Sequence, residues 1–191
     1  MKKIRLVIIA VVVLFAIWLG SKYNTLVSLD ESVKTSWSQV ENVYQRRLDL
    51  IPNLVNTIKW AAAQESWVLI WVVNARANAT KITVSVDDAK SLAAYQKAQW
   101  DVSQALGKLL AITENYPQLQ SIKLYTDLMT QLEGSENRIT VERMNFNTSA
   151  KAYNIAIRSF PMNIVAVLFG FDARPLFEAT EWAEVAPVVE F

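Results

Sequence analysis

Residues 26–55 read LVSLDESVKTSWSQVENVYQRRLDLIPNLV. Leu26, Leu29, Val33, Trp37, Val40 and Tyr44 recur every three or four positions, which lays an apolar stripe along one side of an α-helix and leaves the other sides polar. Beyond Pro52 the same spacing resumes through Leu54, Val55, Ile58, Ala62, Leu69, Val72 and Val73. The pattern therefore predicts one long helix from Tyr23 to about Lys81, kinked at the proline rather than ended by it.

Working outward from that helix, residues 81–86 (KITVSV) are β-branched and aperiodic, as a connection between helices would be. Asp87 or Ser85 is placed to cap the next helix. That helix carries Leu92, Tyr95, Trp100, Val102, Leu106, Leu109, Leu110 and Ile112 and stops before Pro117. A third long helix is expected from Pro117, as a first-turn proline, to about Ser159, closed by Phe160 and Pro161. The remainder, 162–191, has an apolar run from Ile164 to Phe169 followed by Gly170, Pro175 and Pro187, and reads as a short helix and an irregular strap. The fold class is all-α: an N-terminal transmembrane helix followed by an antiparallel bundle of three long helices plus one short C-terminal element.

Composition agrees with that class and removes much chemistry. Four glycines and five prolines in 191 residues disfavour a turn-rich β architecture. The chain has no histidine and no cysteine, which excludes Cys/His zinc sites, Ser-His-Asp and Cys-His nucleophile systems, haem ligation through histidine and disulfides. No cofactor is implied. The first 22 residues hold Lys2, Lys3, Arg5 and Lys22 and no acid, leaving 15 basic against 18 acidic residues in the rest. With no basic face beyond the N-terminus, nucleic acid is not an expected partner.

Between Arg5 and Lys22 lie 16 uncharged residues, about 24 Å of helix. Leu6, Val7, Ile8, Ile9, Val11, Val12, Val13, Leu14, Phe15, Ile17, Trp18 and Leu19 make this a membrane anchor, with Arg5 and Lys22 snorkelling to make up the length of a bilayer core. Trp18 and Leu19 stand where signal cleavage needs small side chains, so an uncleaved signal-anchor is expected. The positive flank keeps the N-terminus in the cytoplasm. Residues 1–22 are then a cytoplasmic stub and anchor in the inner membrane, and 23–191 an exported bundle, periplasmic or extracellular.

Several runs resemble the LemA family as they stand: Tyr23 to Val27 after the anchor, Trp37 to Asn42, Tyr44 to Val55, Glu114 to Pro117, Glu136 to Ile139, Phe160 with Pro161, and Phe169 to Phe171. The resemblance covers essentially the whole chain. It implies a short N-terminal transmembrane helix, an exported helical bundle and a bacterial envelope protein of unestablished biochemical activity. The chain departs from the family pattern at Trp60, Trp100 and Trp182, where a small residue is usual, and at Gln64, where histidine is common.

Three groups of residues are candidates for function. A polar layer is expected from Glu41, Asn42, Arg46 and Arg47 on the first helix, facing Glu136, Asn137, Arg138 and Arg143 on the third, where neighbouring Glu and Arg fix helix register. Glu65 and Arg76 fall on the apolar face of 51–76 and must be paired, with Asn137 or Arg138 as the expected neighbour. Trp60, Gln64, Trp67 and Trp71 lie on the opposite face and form a candidate contact surface, against the tail bearing Trp182, another protomer, another envelope protein or the lipid interface. The function expected from this is a non-enzymatic scaffold or interaction protein with no small-molecule substrate. The alternative is a carboxylate-based, cation-dependent enzyme or cation-binding protein in which Glu41, Glu65 and Glu136 converge.

Overall fold

The computed structural model describes residues 2–59 and 66–178. The helices are α1 (Lys2–Ile58), α2 (Ser66–Lys81), α3 (Ala89–Thr113), α4 (Lys123–Arg158) and α5 (Met162–Phe169), and no strand occurs among the described residues. A 3-10 turn, Pro117–Ser121, leads into α4 with its proline in the first position. The architecture is the all-helical bundle that the periodicity predicts, with α1, α3 and α4 as its three long members.

The helix expected over 23–81 is two helices. α1 passes through Pro52 and ends at Ile58, and α2 packs back along it, so that Arg76 reaches Leu48. Both pieces carry the same stripe, which is why periodicity alone does not separate them: Ile51, Leu54, Val55 and Ile58 on α1 share one core with Val68, Leu69 and Val72 on α2. α3 packs against α2 and meets α1 through side chains such as Tyr95 on Trp37, and α4 returns antiparallel to α1, with Ser36 beside Ser149 at one level and Arg47 beside Glu136 at another.

The core has two parts. The end away from the apolar N-terminal segment is aliphatic, with Leu54, Ile58, Leu69, Leu106, Leu109 and Leu128 among its members. The half nearer that segment is aromatic, with the Trp37 ring against Tyr95, Phe146 and Phe177 at 5.5 to 5.9 Å between centroids. Edge-to-face and stacked pairs of this kind add to the burial of apolar area.

Caps correct the sequence reading in detail. Asp88, rather than Asp87 or Ser85, caps α3, its carboxylate accepting from the amides of Lys90 and Ser91. α4 begins at Lys123, because Pro117 opens the 3-10 turn instead. Gly170 ends α5 at φ 72°, the left-handed conformation that favours glycine, and the Phe171 amide donates back to the Ala166 carbonyl.

Candidate functional site

The polar centre of the bundle is built on Arg47. Its guanidinium is 1% exposed, at a position on the core side of α1 between Tyr44 and Leu48. A buried charge needs a partner and acceptors for its donors, and both Nη atoms of Arg47 find them while Nε does not. Nη1 donates to Glu136 Oε1 at 2.6 Å and to Ser103 Oγ at 2.8 Å; Nη2 donates to the Gln99 side-chain and backbone oxygens at 2.6 and 3.0 Å. The Tyr44 ring lies 5.2 Å from its centre. Arg47 thus ties α1 to α3 and α4 at one level.

Glu136 is half-exposed, so its carboxylate keeps contact with solvent while holding the buried cation. A recess of about 130 Å³ opens beside this layer, between Arg47, Gln99, Trp100, Ser103, Glu136 and Arg143. Ligand pockets are typically about 300 to 1,000 Å³, so the recess suits a few waters rather than a metabolite. Burial pushes the Tyr44 and Tyr95 hydroxyls up, away from any proton-transfer range near neutrality.

Of the residues expected in the polar layer, Arg47 and Glu136 meet. Glu41, Asn42 and Arg46 are exposed on α1, and Asn137 and Arg138 are exposed on α4. Arg143 lies over the Phe177 ring at 4.8 Å and takes part in holding the tail. Arg76 is corrected: its partner is the Leu48 carbonyl on α1, at 2.8 Å, and not Asn137 or Arg138. Glu65 lies outside the described residues. Of the acids named for the carboxylate alternative, Glu41 is exposed and Glu136 is bound to Arg47; no group of three acids placed to hold a metal occurs among the described residues.

The tail is a second polar system. Asn154 Nδ2 donates to the Arg174 carbonyl and its Oδ1 accepts from the Arg174 amide, both at 2.8 Å. Asn147 does the same for Phe177, at 2.9 and 2.8 Å. The two asparagines are seven residues apart on a helix, about 10.5 Å, and the two strap residues are three apart in extended chain, about 10 Å. Matching repeats let one helix face bind a strap as a sheet edge would. The strap seats Phe177 in the aromatic core.

Arg174 itself reaches α1, donating to Asp30 Oδ1 at 2.6 Å, and pairs with Asp87 ahead of α3. Lys34 adds a second cation 2.9 Å from Asp30. Burial alone pushes the Asp30 carboxyl up, but the hydrogen bonds from Arg174 and Lys34 outweigh it and hold the group below the usual carboxylate range. The guanidinium also lies 5.5 Å from the Tyr153 ring, whose hydroxyl is pushed up to about 12 by burial.

Sequence reasoning missed Gln99, Ser103, Asp30 and Arg174, and offered Asp87 as a cap where the structure pairs it with Arg174. Two of them left a signal: Gln99 interrupts the stripe of α3 between Tyr95 and Val102, and Asp30 interrupts that of α1 between Leu26 and Val33.

The tryptophan face divides. Trp60 and Gln64, like Trp182, lie outside the described residues. Trp67 is 57% exposed on α2, with Ile70 and Val73 also exposed. Trp71 packs against the aliphatic core, its outer face covered by Lys108 Nζ at 4.5 Å from the ring. The apolar N-terminal segment of α1 is a candidate membrane span by length and composition; none of its window is buried by the rest of the molecule, and only its end, at Leu19, packs on the aromatic cluster.

Arg47, Leu48 and Pro52 all belong to one run of α1, and the LemA family model matches the chain over residues 36–191, which contains that run. The chain belongs to the LemA family. Magnetosome proteins MamQ 1 and MamQ 2 of Paramagnetospirillum magneticum are each 30% identical to it over 186 residues, covering 87% of this chain and 68% of theirs. MamQ of Magnetospirillum gryphiswaldense is 30% identical over 184 residues, covering 86% and 68%. Protein LemA of Metamycoplasma hominis is 24% identical over 174 residues, covering 91% and 76%. In this LemA chain Arg47, Arg76, Asn147, Asn154 and Arg174, all in the matched region, join helices to one another and to the tail.

Proposed function

We propose that this LemA-family chain is a single-pass membrane scaffold of the bacterial cell envelope, which holds a helical bundle at the outer face of the inner membrane and binds partner proteins through exposed helix faces. The observation that carries the reading is the continuity of α1: one helix runs from Lys2 through the apolar segment into the bundle core and ends at Ile58. A helix without a linker fixes the bundle's height and orientation, and confinement to the surface raises its effective concentration toward other membrane-held proteins. Lys2, Lys3 and Arg5 before the span favour a cytoplasmic N-terminus and an exported bundle. The MamQ relatives are named for a cellular structure rather than a reaction, which supports a scaffolding role. On α2, exposed Trp67, Ile70 and Val73 offer a contact face for another envelope protein or a second copy.

Proteolysis of intact spheroplasts tests the topology. Degradation of the bundle with survival of a small membrane-embedded N-terminal fragment is the expected result; a bundle protected until the membrane is opened reverses the orientation.

A further inference from the structure

α5 is apolar on both sides. Val165 and Ala166 are buried in the aromatic core, while Ile164, Val167 and Leu168 are 51%, 84% and 66% exposed. At about 100° per residue those three fall on the side opposite Val165 and Ala166. Asn163 is the one polar residue in the eight of the helix. A surface helix ordinarily turns polar side chains outward, so an outer face made of large aliphatics needs something to cover it.

The position of α5 says what covers it. α4 runs antiparallel to α1 and brings its C-terminus back toward the anchor, and α5 turns from α4 by 97°. The Phe169 ring lies 4.8 Å from that of Tyr23, immediately past the apolar segment, and Leu19, within that segment, packs on the cluster that holds Val165 and Ala166. α5 is therefore level with the end of the span and crosswise to the helix pair that rises from it. Eight residues make about 12 Å of helix, too short to cross about 30 Å of hydrocarbon but well suited to lying in its surface.

We propose that α5 is a second membrane contact: it lies in the bilayer interface beside the anchor, with Ile164, Val167 and Leu168 inserted among the lipid chains. This rests on the anchor reading, because the span sets the level at which α5 meets lipid. Together the span and α5 hold the bundle at two points, which fixes its tilt and its rotation about α1 relative to the membrane plane.

The chain has no cysteine, so single cysteines report without background. The full chain carrying Val167→Cys, Val12→Cys or Met144→Cys, each labelled with an environment-sensitive fluorophore, is reconstituted in phosphatidylglycerol/phosphatidylethanolamine vesicles containing nitroxide-labelled lipid. Met144 is exposed on α4, away from the anchor. The label at 167 is expected to be quenched several-fold more than that at 144, most strongly by nitroxide near the headgroups, while the label at 12 responds to nitroxide deep in the chains. Quenching at 167 by aqueous iodide and not by lipid, with 12 still lipid-quenched, overturns the role of α5 alone. A shielded 167 label that ignores lipid nitroxide and depends on the protein-to-lipid ratio assigns the face to a second copy and overturns it too. Loss of lipid quenching at 12 overturns the anchor reading, and this proposal with it.

Discussion

Arg76 donates its Nε hydrogen to the backbone carbonyl of Leu48 at 2.8 Å, and Leu48 is the residue four before Pro52. In a helix that carbonyl accepts from the amide four positions ahead, and proline has none to give. Arg76 supplies the missing donor from the neighbouring helix. This explains how α1 crosses a proline without ending, and why a cation stands on the apolar face of α2.

The first prediction follows from that repair. Arg76→Met should cost about 1 to 3 kcal/mol, the penalty for leaving a buried polar group unsatisfied. In a Pro52→Ala background the restored amide answers Leu48 directly, so the same substitution should cost clearly less. Urea unfolding of the four-member cycle gives the coupling; equal losses in both backgrounds would falsify the link between Arg76 and the proline.

How far the sequence reaches is visible in these residues. The stripe from Leu26 through Tyr44 predicts α1 and its buried side, and the 16 uncharged residues before Lys22 predict an unburied apolar segment. Arg76 was legible as a charge that must be paired, because its angular position is a local property of one helix. Its partner was not, since a carbonyl orphaned by Pro52 becomes an acceptor for Arg76 only once α2 is known to fold back. The same holds for Arg174: nothing in the chemistry of 171–178 says which helix will clamp it until α4 presents Asn147 and Asn154 at a matching spacing.

Arg47 supports the second prediction. Glu136→Gln removes the counter-charge but keeps an oxygen opposite Nη1 and should cost about 1 kcal/mol, whereas Glu136→Leu removes charge and acceptor together and should cost about 2 to 3 kcal/mol, short of the roughly 3 to 5 kcal/mol of a fully buried pair because Glu136 is half-exposed. Arg47→Ala should fall in the upper range, because Gln99 and Ser103 lose their donor and a cavity opens beside Tyr44. Chemical denaturation measures all three. A Leu variant no worse than Gln would show that solvent, not Glu136, balances the charge.

Asp30 gives the chain an acid sensitivity of known sign. Its folded-state pKa lies below the unfolded value, so the stability it contributes is fully present above about pH 4 and is lost as pH falls through the folded value. Stability of the wild type should therefore decline below about pH 4 more steeply than that of Asp30→Asn, with the two curves parallel above that range. Melting temperatures from pH 2.5 to 7 test this. Parallel curves throughout would place the acid response elsewhere.

The clamp on the strap separates tail from bundle. Asn147→Ala with Asn154→Ala removes four hydrogen bonds that fix Arg174 and Phe177, at about 0.5 to 1.5 kcal/mol each, while the helix α4 that carries them gains helical propensity from alanine. The expected outcome is local: amide exchange at Arg174 and Phe177 accelerates by orders of magnitude, and the far end of the bundle around Leu106 and Leu128 exchanges as before. The Phe177 ring stays seated while its amide is freed, because the residue is 6% exposed and packs against Trp37 and Phe146. Adding Phe177→Ala to the pair should then free the strap altogether and expose Trp37, read as a red shift in tryptophan emission. If the double asparagine variant alone leaves both amides protected, aromatic packing holds the strap and the asparagines only set its register.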